Sequence, residues 1–266
     1  MPNLPMMKTE RTIQGRPGRV FTGGRGQALL LIHGGWGGAE FHWSRVWDAL
    51  ATRYRVVAPD LPGLGAIEQP ALGSIGEYAA WLVALLDELG IDRAWCVGNS
   101  FGGAVSWSFA GRYPERCAGL VLVNGFPVPR TPAWLRRLGR RRFFRYPLSG
   151  IVGRVSYNPK LVASAFAAPE HVPEDLSRLI RDEWRLMVPR FADILVAGDG
   201  APPPVVRPWL LWGAADRLPG TGRERAYKLQ RKLPGATLRL LDNAGHFPQL
   251  EVPEAFVGAV GEIVSS

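Results

Sequence analysis

Ser100, Asp216 and His246 are the residues of this chain whose types together suit acyl transfer. Ser100 lies in "VGNSFGG", a G-x-S-x-G pattern made by Gly98, Ser100 and Gly102. A serine hydroxyl is a poor nucleophile until a base takes its proton. A histidine does so near neutral pH. A carboxylate on its other ring nitrogen sets the tautomer and stabilises the imidazolium. The serine pattern alone is weak in a chain with 32 glycines, and such a motif needs structural context.

That context comes from the elements that must carry these residues. "ALLLIH" (28–33), "YRVVAP" (54–59), "AWCV" (94–97), "GLVLV" (119–123), "PWLLW" (208–212) and "TLRLL" (237–241) are continuous apolar runs. They read as strands buried on both faces. Helical patterns over 74–90, 101–114, 221–235 and 252–264 alternate with them. The expected fold class is α/β, a doubly wound, mostly parallel sheet. An antiparallel edge hairpin is expected near 10–22. Between 126 and 204 no strand run occurs, and the pattern predicts a helical cap inserted into a core of 1–125 and 205–266. In such sheets ligands bind at the carboxyl ends of the strands. Ser100, Asp216 and His246 each follow a strand there, so they are expected to converge. A sharp strand-to-helix turn at Ser100 leaves no room for side chains at Gly98 and Gly102.

The chain resembles the α/β-hydrolases over nearly its whole length. The motifs are "HGGWGG", "PDLPGLG", "GNSFGG", "WGAADR" and "GHFPQLEVPEAF", in that order, with the cap. The resemblance implies Ser100 as nucleophile, Asp216 as acid and His246 as base. It also implies an oxyanion hole from the backbone N–H groups of Gly35 and Phe101. The implied activity is a serine hydrolase cleaving a carboxylic ester through an acyl-enzyme, with no metal or organic cofactor. Trp36, Asn99 and Phe247 are candidates for substrate contact. "VGNSFGG" and "GHFPQLE" are also similar to enzymes that hydrolyse carbon–carbon bonds of ring-cleavage diketones. Asn99 matches that branch, Arg181 or Arg185 could supply its cap arginine, and Phe247 departs from its usual Trp. Thioester, lactone or acyl-transfer chemistry on the same triad is a further alternative. A non-catalytic scaffold of the same fold is the alternative of a different class.

Other residues have plainer readings. Asp242 and Asp199 are rivals to Asp216, but only Asp216 follows a strand in the matching motif. His33 and Asp60 are expected to brace loops, and His42 and His171 to be structural or solvated. Cys96 and Cys117 lie in or beside apolar runs and read as buried thiols, since no Cys/His spacing suggests a metal. No apolar stretch suits a signal peptide or a membrane span, so a cytoplasmic protein is expected. The formal net charge is +9. Residues 126–200 hold 13 Lys and Arg against 7 Asp and Glu, with six arginines in "RRLGRRRFFR" (136–145). No nucleic-acid motif accompanies this charge. The expected partner is a small substrate, an apolar acyl or aromatic ester. The basic cap could also meet an anionic amphiphile or a membrane surface.

Overall fold

The computed structural model describes residues 5–64, 71–134, 158–168 and 197–266, with positions 137, 170, 172, 176 and 194 between them. The chain opens with strands β1 (Met7–Ile13) and β2 (Arg16–Gly23), an antiparallel pair. Gln14 and Gly15 form a two-residue turn with φ of 49° and 73°, the positive values such a hairpin requires. The hairpin is longer than the sequence suggests. β1 is half exposed along its length, which leaves only a faint alternation to read.

The rest of the sheet comes from β3 (Ala28–Ile32), β4 (Arg55–Pro59), β5 (Ala94–Asn99), β6 (Cys117–Val123), β7 (Pro208–Gly213) and β8 (Thr237–Leu241). The eight strands run in the order β1-β2-β4-β3-β5-β6-β7-β8. From β4 to β8 every pairing is parallel, and the β1–β2 hairpin is the antiparallel edge. Helices α1 (Ala39–Trp43), α2 (Trp47–Ala51), α3 (Ile75–Glu88) and α4 (Phe101–Arg112) lie in the first half. The second half holds α5 (Pro159–Ser164), α6 (Arg223–Lys232), α7 (Pro248–Glu251) and α8 (Pro253–Ser265).

Alternation along each strand feeds two cores. Leu30, Ile32, Leu120, Leu122, Leu210 and Trp212 pack under α3, α4 and α6. Leu29, Leu31, Val121, Val123 and Leu211 pack under α1, α2 and α8. Both faces are therefore dry, which is why the strands read as unbroken apolar runs. Cys96 and Cys117 are buried free thiols. Ser74 caps α3. The Ser74 hydroxyl accepts from Glu77 N, and the Glu77 carboxylate accepts from Gly73 N, a capping box.

The section in which the sequence shows no strand run lies between β6 and β7, which are direct neighbours. It leaves and returns at one place, since Arg130 and Gly198 form a β-bridge. Arg112 of α4 closes this junction with a 2.8 Å ion pair to Asp199, a residue once considered as an acid. α5 belongs to this section. His171, Arg181, Arg185 and all of 136–145 except Arg137 lie outside the described residues.

Candidate active site

The turn between β5 and α4 holds Ser100 with φ 53° and ψ −114°. A side-chain-bearing residue is rarely found there, and such strain is tolerated only where the surroundings impose it. The surroundings do impose it. Ser100 N donates to Val123 O at 2.9 Å, and Ser100 O accepts from Gly103 N at 3.0 Å. A Cβ on Gly98 would lie 2.2 Å from Gly102 O, and one on Gly102 would lie 2.1 Å from Ile32 O. Neither position accepts a side chain. Ser106 and Ser108, further along α4, are fully buried.

Asp216 follows β7 and His246 follows β8, so adjacent strands deliver the pair. His246 Nδ1 lies 2.9 Å from Asp216 Oδ2, and both residues are buried. A carboxylate accepts, so Nδ1 carries the proton and Nε2 presents its lone pair. Asp216 Oδ1 accepts from Leu218 N at 2.9 Å. Burial raises the Asp216 pKa, but the charge and hydrogen bond of His246, with the bonds from Leu218 and Asn124, outweigh it. The carboxyl ends below its ordinary value and stays ionised. Asp242 is exposed, away from this buried pair.

Two residues that sequence reasoning did not assign complete this side. Asn124, at the end of β6, donates from Nδ2 to Asp216 Oδ2 at 2.8 Å and accepts from Gly213 N at 3.0 Å. Its φ is 44°, a region that Asn enters more readily than most residues. Its place as a polar residue ending an apolar strand was the available signal. Glu251, at the end of α7, accepts from Gly245 N at 2.8 Å and from Ala167 N at 2.7 Å. His246 N also donates to Ala165 O. The section between β6 and β7 is thus tied to the histidine loop directly at Ala165 O and, through Glu251, at Ala167 N.

On the other side, Gly35 sits half-buried in the loop after β3. Its neighbour Gly34 faces Ser100: a Cβ on it would lie 3.2 Å from Ser100 Cβ. Phe101 opens α4, where a helix points its first N–H groups outward. His33 braces the loop as expected. Its Nδ1 donates to Gly34 O at 2.7 Å, and its Nε2 accepts from Leu61 N at 2.8 Å. Burial lowers its pKa; Asp60 and the Gly34 bond only partly offset this. Asp60 is also a brace, accepting from Ala39 N and from Arg19 Nε, each at 2.7 Å.

The expected substrate contacts fare differently. Asn99 is fully buried, and its Nδ2 donates to the carbonyls of Val123 and His246, each at 3.0 Å. Through Nδ2 it joins the end of β6 to the histidine loop beside the turn that lifts Ser100. Phe247 is 1% exposed and packs on Phe166, with ring centroids 5.2 Å apart. Trp36 is half-buried and flanks the same cluster with Phe41 and Leu218.

The alpha/beta hydrolase family model matches residues 29–259. The chain belongs to this family. It is 27% identical to the 2-hydroxy-6-oxo-2,4-heptadienoate hydrolase of Pseudomonas putida, over 91% of each chain. It is 30% identical to a 2-hydroxy-6-oxononadienedioate/2-hydroxy-6-oxononatrienedioate hydrolase of Burkholderia vietnamiensis, over 88% of this chain and 86% of that one. Among solved structures, a 2-hydroxy-6-oxo-6-phenylhexa-2,4-dienoate hydrolase from a Rhodococcus species has a TM-score of 0.73 at 23% identity. It covers 99% of this chain and 100% of its own. A thermophilic esterase from Thermogutta terrifontis has a TM-score of 0.75 at 21% identity, covering 97% and 98%. Such structural likeness fixes the fold and leaves the substrate open. Among the described residues, no helix is long and apolar enough to cross a membrane.

Proposed function

We propose that this alpha/beta hydrolase cleaves a carboxylic ester through an acyl-enzyme on Ser100. The observation that carries the reading is the buried 2.9 Å contact between Asp216 and His246, whose backbone is bonded to Asn99, the residue before a serine held in a strained turn. His246 Nε2 takes the Ser100 proton as Oγ attacks the carbonyl carbon. The N–H groups of Gly35 and Phe101 hold the oxyanion, which develops only in the transition state and tetrahedral intermediate. His246 then passes the proton to the departing alkoxide. Water, activated by the same ring, attacks the acyl carbon and releases the acid and Ser100. Asp216 stays ionised throughout and stabilises the imidazolium. The half-buried Trp36, Phe41 and Leu218 favour an apolar or aromatic substrate. These residues need no cofactor for the steps described.

A second reading is carbon–carbon hydrolysis of a vinylogous diketone, favoured by the names of the relatives above. The same triad and oxyanion groups serve it, with a carbanion equivalent leaving in place of an alkoxide. One panel separates the two: p-nitrophenyl esters of graded acyl length beside a ring-cleavage dienoate. Turnover of the esters with mass-spectrometric capture of an acyl group on Ser100 supports the first reading. Turnover of the dienoate alone replaces it with the second. A fluorophosphonate probe that fails to label Ser100 overturns both.

A further inference from the structure

Behind the loop that carries Gly35 stands a second buried imidazole, His42 of α1, which the steps above do not use. It is fully buried, and its Nε2 lies 2.7 Å from Trp36 O. A carbonyl only accepts, so the proton sits on Nε2. His33 is locked in the opposite tautomer, because its Nε2 accepts from Leu61 N and its Nδ1 must donate to Gly34 O. The Gly34–Gly35 peptide is planar and trans, so its C=O and N–H point in opposite directions. Holding Gly34 O therefore aims Gly35 N–H, and a hydrogen bond on the carbonyl polarises the amide. The His42 ring closes the space beside it. A Cβ on Gly34 would lie 3.0 Å from His42 Cε1 and 3.2 Å from Ser100 Cβ. The ring and the serine thus both border the side of Gly34 that a Cβ would occupy, while Trp36 O is tethered on the far side of Gly35.

We propose that His42, with its proton on Nε2, is a positioning residue that holds the oxyanion loop against Ser100, in concert with His33. This rests on the reading of Gly35 and Ser100 given above. His42 touches no reacting atom; it acts through the Gly34–Trp36 backbone. Its neighbours suit an uncharged ring. Gln249 Nε2 stands 3.5 Å from Nδ1, and the rings of Phe41, Trp43 and Phe247 surround it. Burial is the largest cause and holds its pKa well below the ordinary value, with His33 and His246 also disfavouring a positive charge and the bonds to Trp36 O and Asn99 only partly offsetting them, so the ring is uncharged at neutral pH.

The experiment compares His42→Leu and His42→Gln in the full chain. Leu keeps the bulk and removes the donor; Gln places an N–H near where Nε2 stands. We expect Leu to lower kcat by about 10- to 100-fold with KM little changed, somewhat less than loss of an oxyanion donor itself. Gln should recover most of that loss. Equal kcat for folded His42→Leu and the parent protein overturns the proposal, as does a change confined to KM. Nitrogen-15 NMR of the histidine rings gives a second measurement, with the His42 signals assigned by their loss in His42→Gln. An Nε2–H tautomer at pH 7 is expected; an Nδ1–H tautomer or an imidazolium overturns the proposal even if His42→Leu does not fold. Failure of the parent protein to label at Ser100 sinks the hydrolase reading separately, because the tautomer is read without turnover.

Discussion

The two sides of the site are held by opposite chemistry. The base side, at the ends of β6, β7 and β8, is organised by carboxylates: Asp216 on the imidazole and Leu218 N, Glu251 on Gly245 N and Ala167 N. The oxyanion side, at the end of β3, is held by two buried imidazoles, His33 and His42, with Asp60 at its rim. Carboxylate acceptors keep working as pH falls until they protonate, and Asp216 is shifted to lower pH still. Burial disfavours a charge on either imidazole, and His33 Nε2 must keep an acceptor lone pair for Leu61 N. The difference teaches that acid should reach the oxyanion side first.

The largest effect that would break this picture is loss of the nucleophile or base. Ser100→Ala and His246→Ala should each reduce kcat by about 10⁶-fold, by analogy with serine-protease triads, while leaving the urea midpoint near that of the parent. Persistent fluorophosphonate labelling in Ser100→Ala would remove the serine from its place in the comparison. Next comes Asp216→Asn, expected to lower kcat by about 10⁴-fold through the wrong tautomer. If Asp242→Asn is the crippled variant and Asp216→Asn is normal, the carboxylate side has been drawn around the wrong acid.

A smaller effect tests the supports of the base side. Asn124→Ala removes one donor to Asp216 and one acceptor for Gly213 N, so kcat should fall by about 10-fold, together with about 1–3 kcal/mol of stability. Glu251→Gln leaves one amide oxygen where a carboxylate served two N–H groups. It should lower kcat by a similar factor, and proteolysis should cut the chain faster within 126–200 as the tie at Ala167 weakens. Unchanged kcat in both would mean that the triad is rigid without these supports.

The smallest effect concerns acid. Burial holds the folded-state pKa values of His33 and His42 below the ordinary imidazole value of 6.5. The unfolded chain therefore binds protons first as pH falls below about 6.5. The stability present above that pH is lost progressively toward the lower folded values, at up to about 1.4 kcal/mol per pH unit for each histidine. Urea midpoints taken from pH 7.5 to 5 should fall, and His42→Gln should fall less steeply. Parallel curves for the two proteins would show that the imidazole side is no more acid-sensitive than the carboxylate side.

Some of this was legible in the sequence. The strands from β3 to β8 were readable because both faces of the sheet are covered, which forces runs such as "ALLLI" and "GLVLV". Ser100, Asp216 and His246 were readable because each interrupts such a pattern at a strand end, where a polar residue has no packing role. The hairpin ends were not, since β1 has one weakly buried face. The burial of Asn99 and Phe247 was not legible, because adjacency in sequence to Ser100 or His246 does not say which way a side chain turns. Asn99 goes under the sheet edge, and Phe247 folds back onto Phe166 of the inserted section.

The sequence by itself determined the parallel sheet, its two dry faces and the three residues at its edge, because those are encoded in local pattern and composition. It took the tertiary structure to show which nitrogens of His33, His42 and His246 meet which partners, that Asn124 bonds Asp216 and Glu251 bonds Gly245 N, and that His42 meets Trp36 O. Those facts depend on contacts between groups far apart in the chain, such as Asn124 with Asp216 and Asn99 with the His246 carbonyl. A hydrogen bond is set by distance and direction in space, and residue type at one position carries neither.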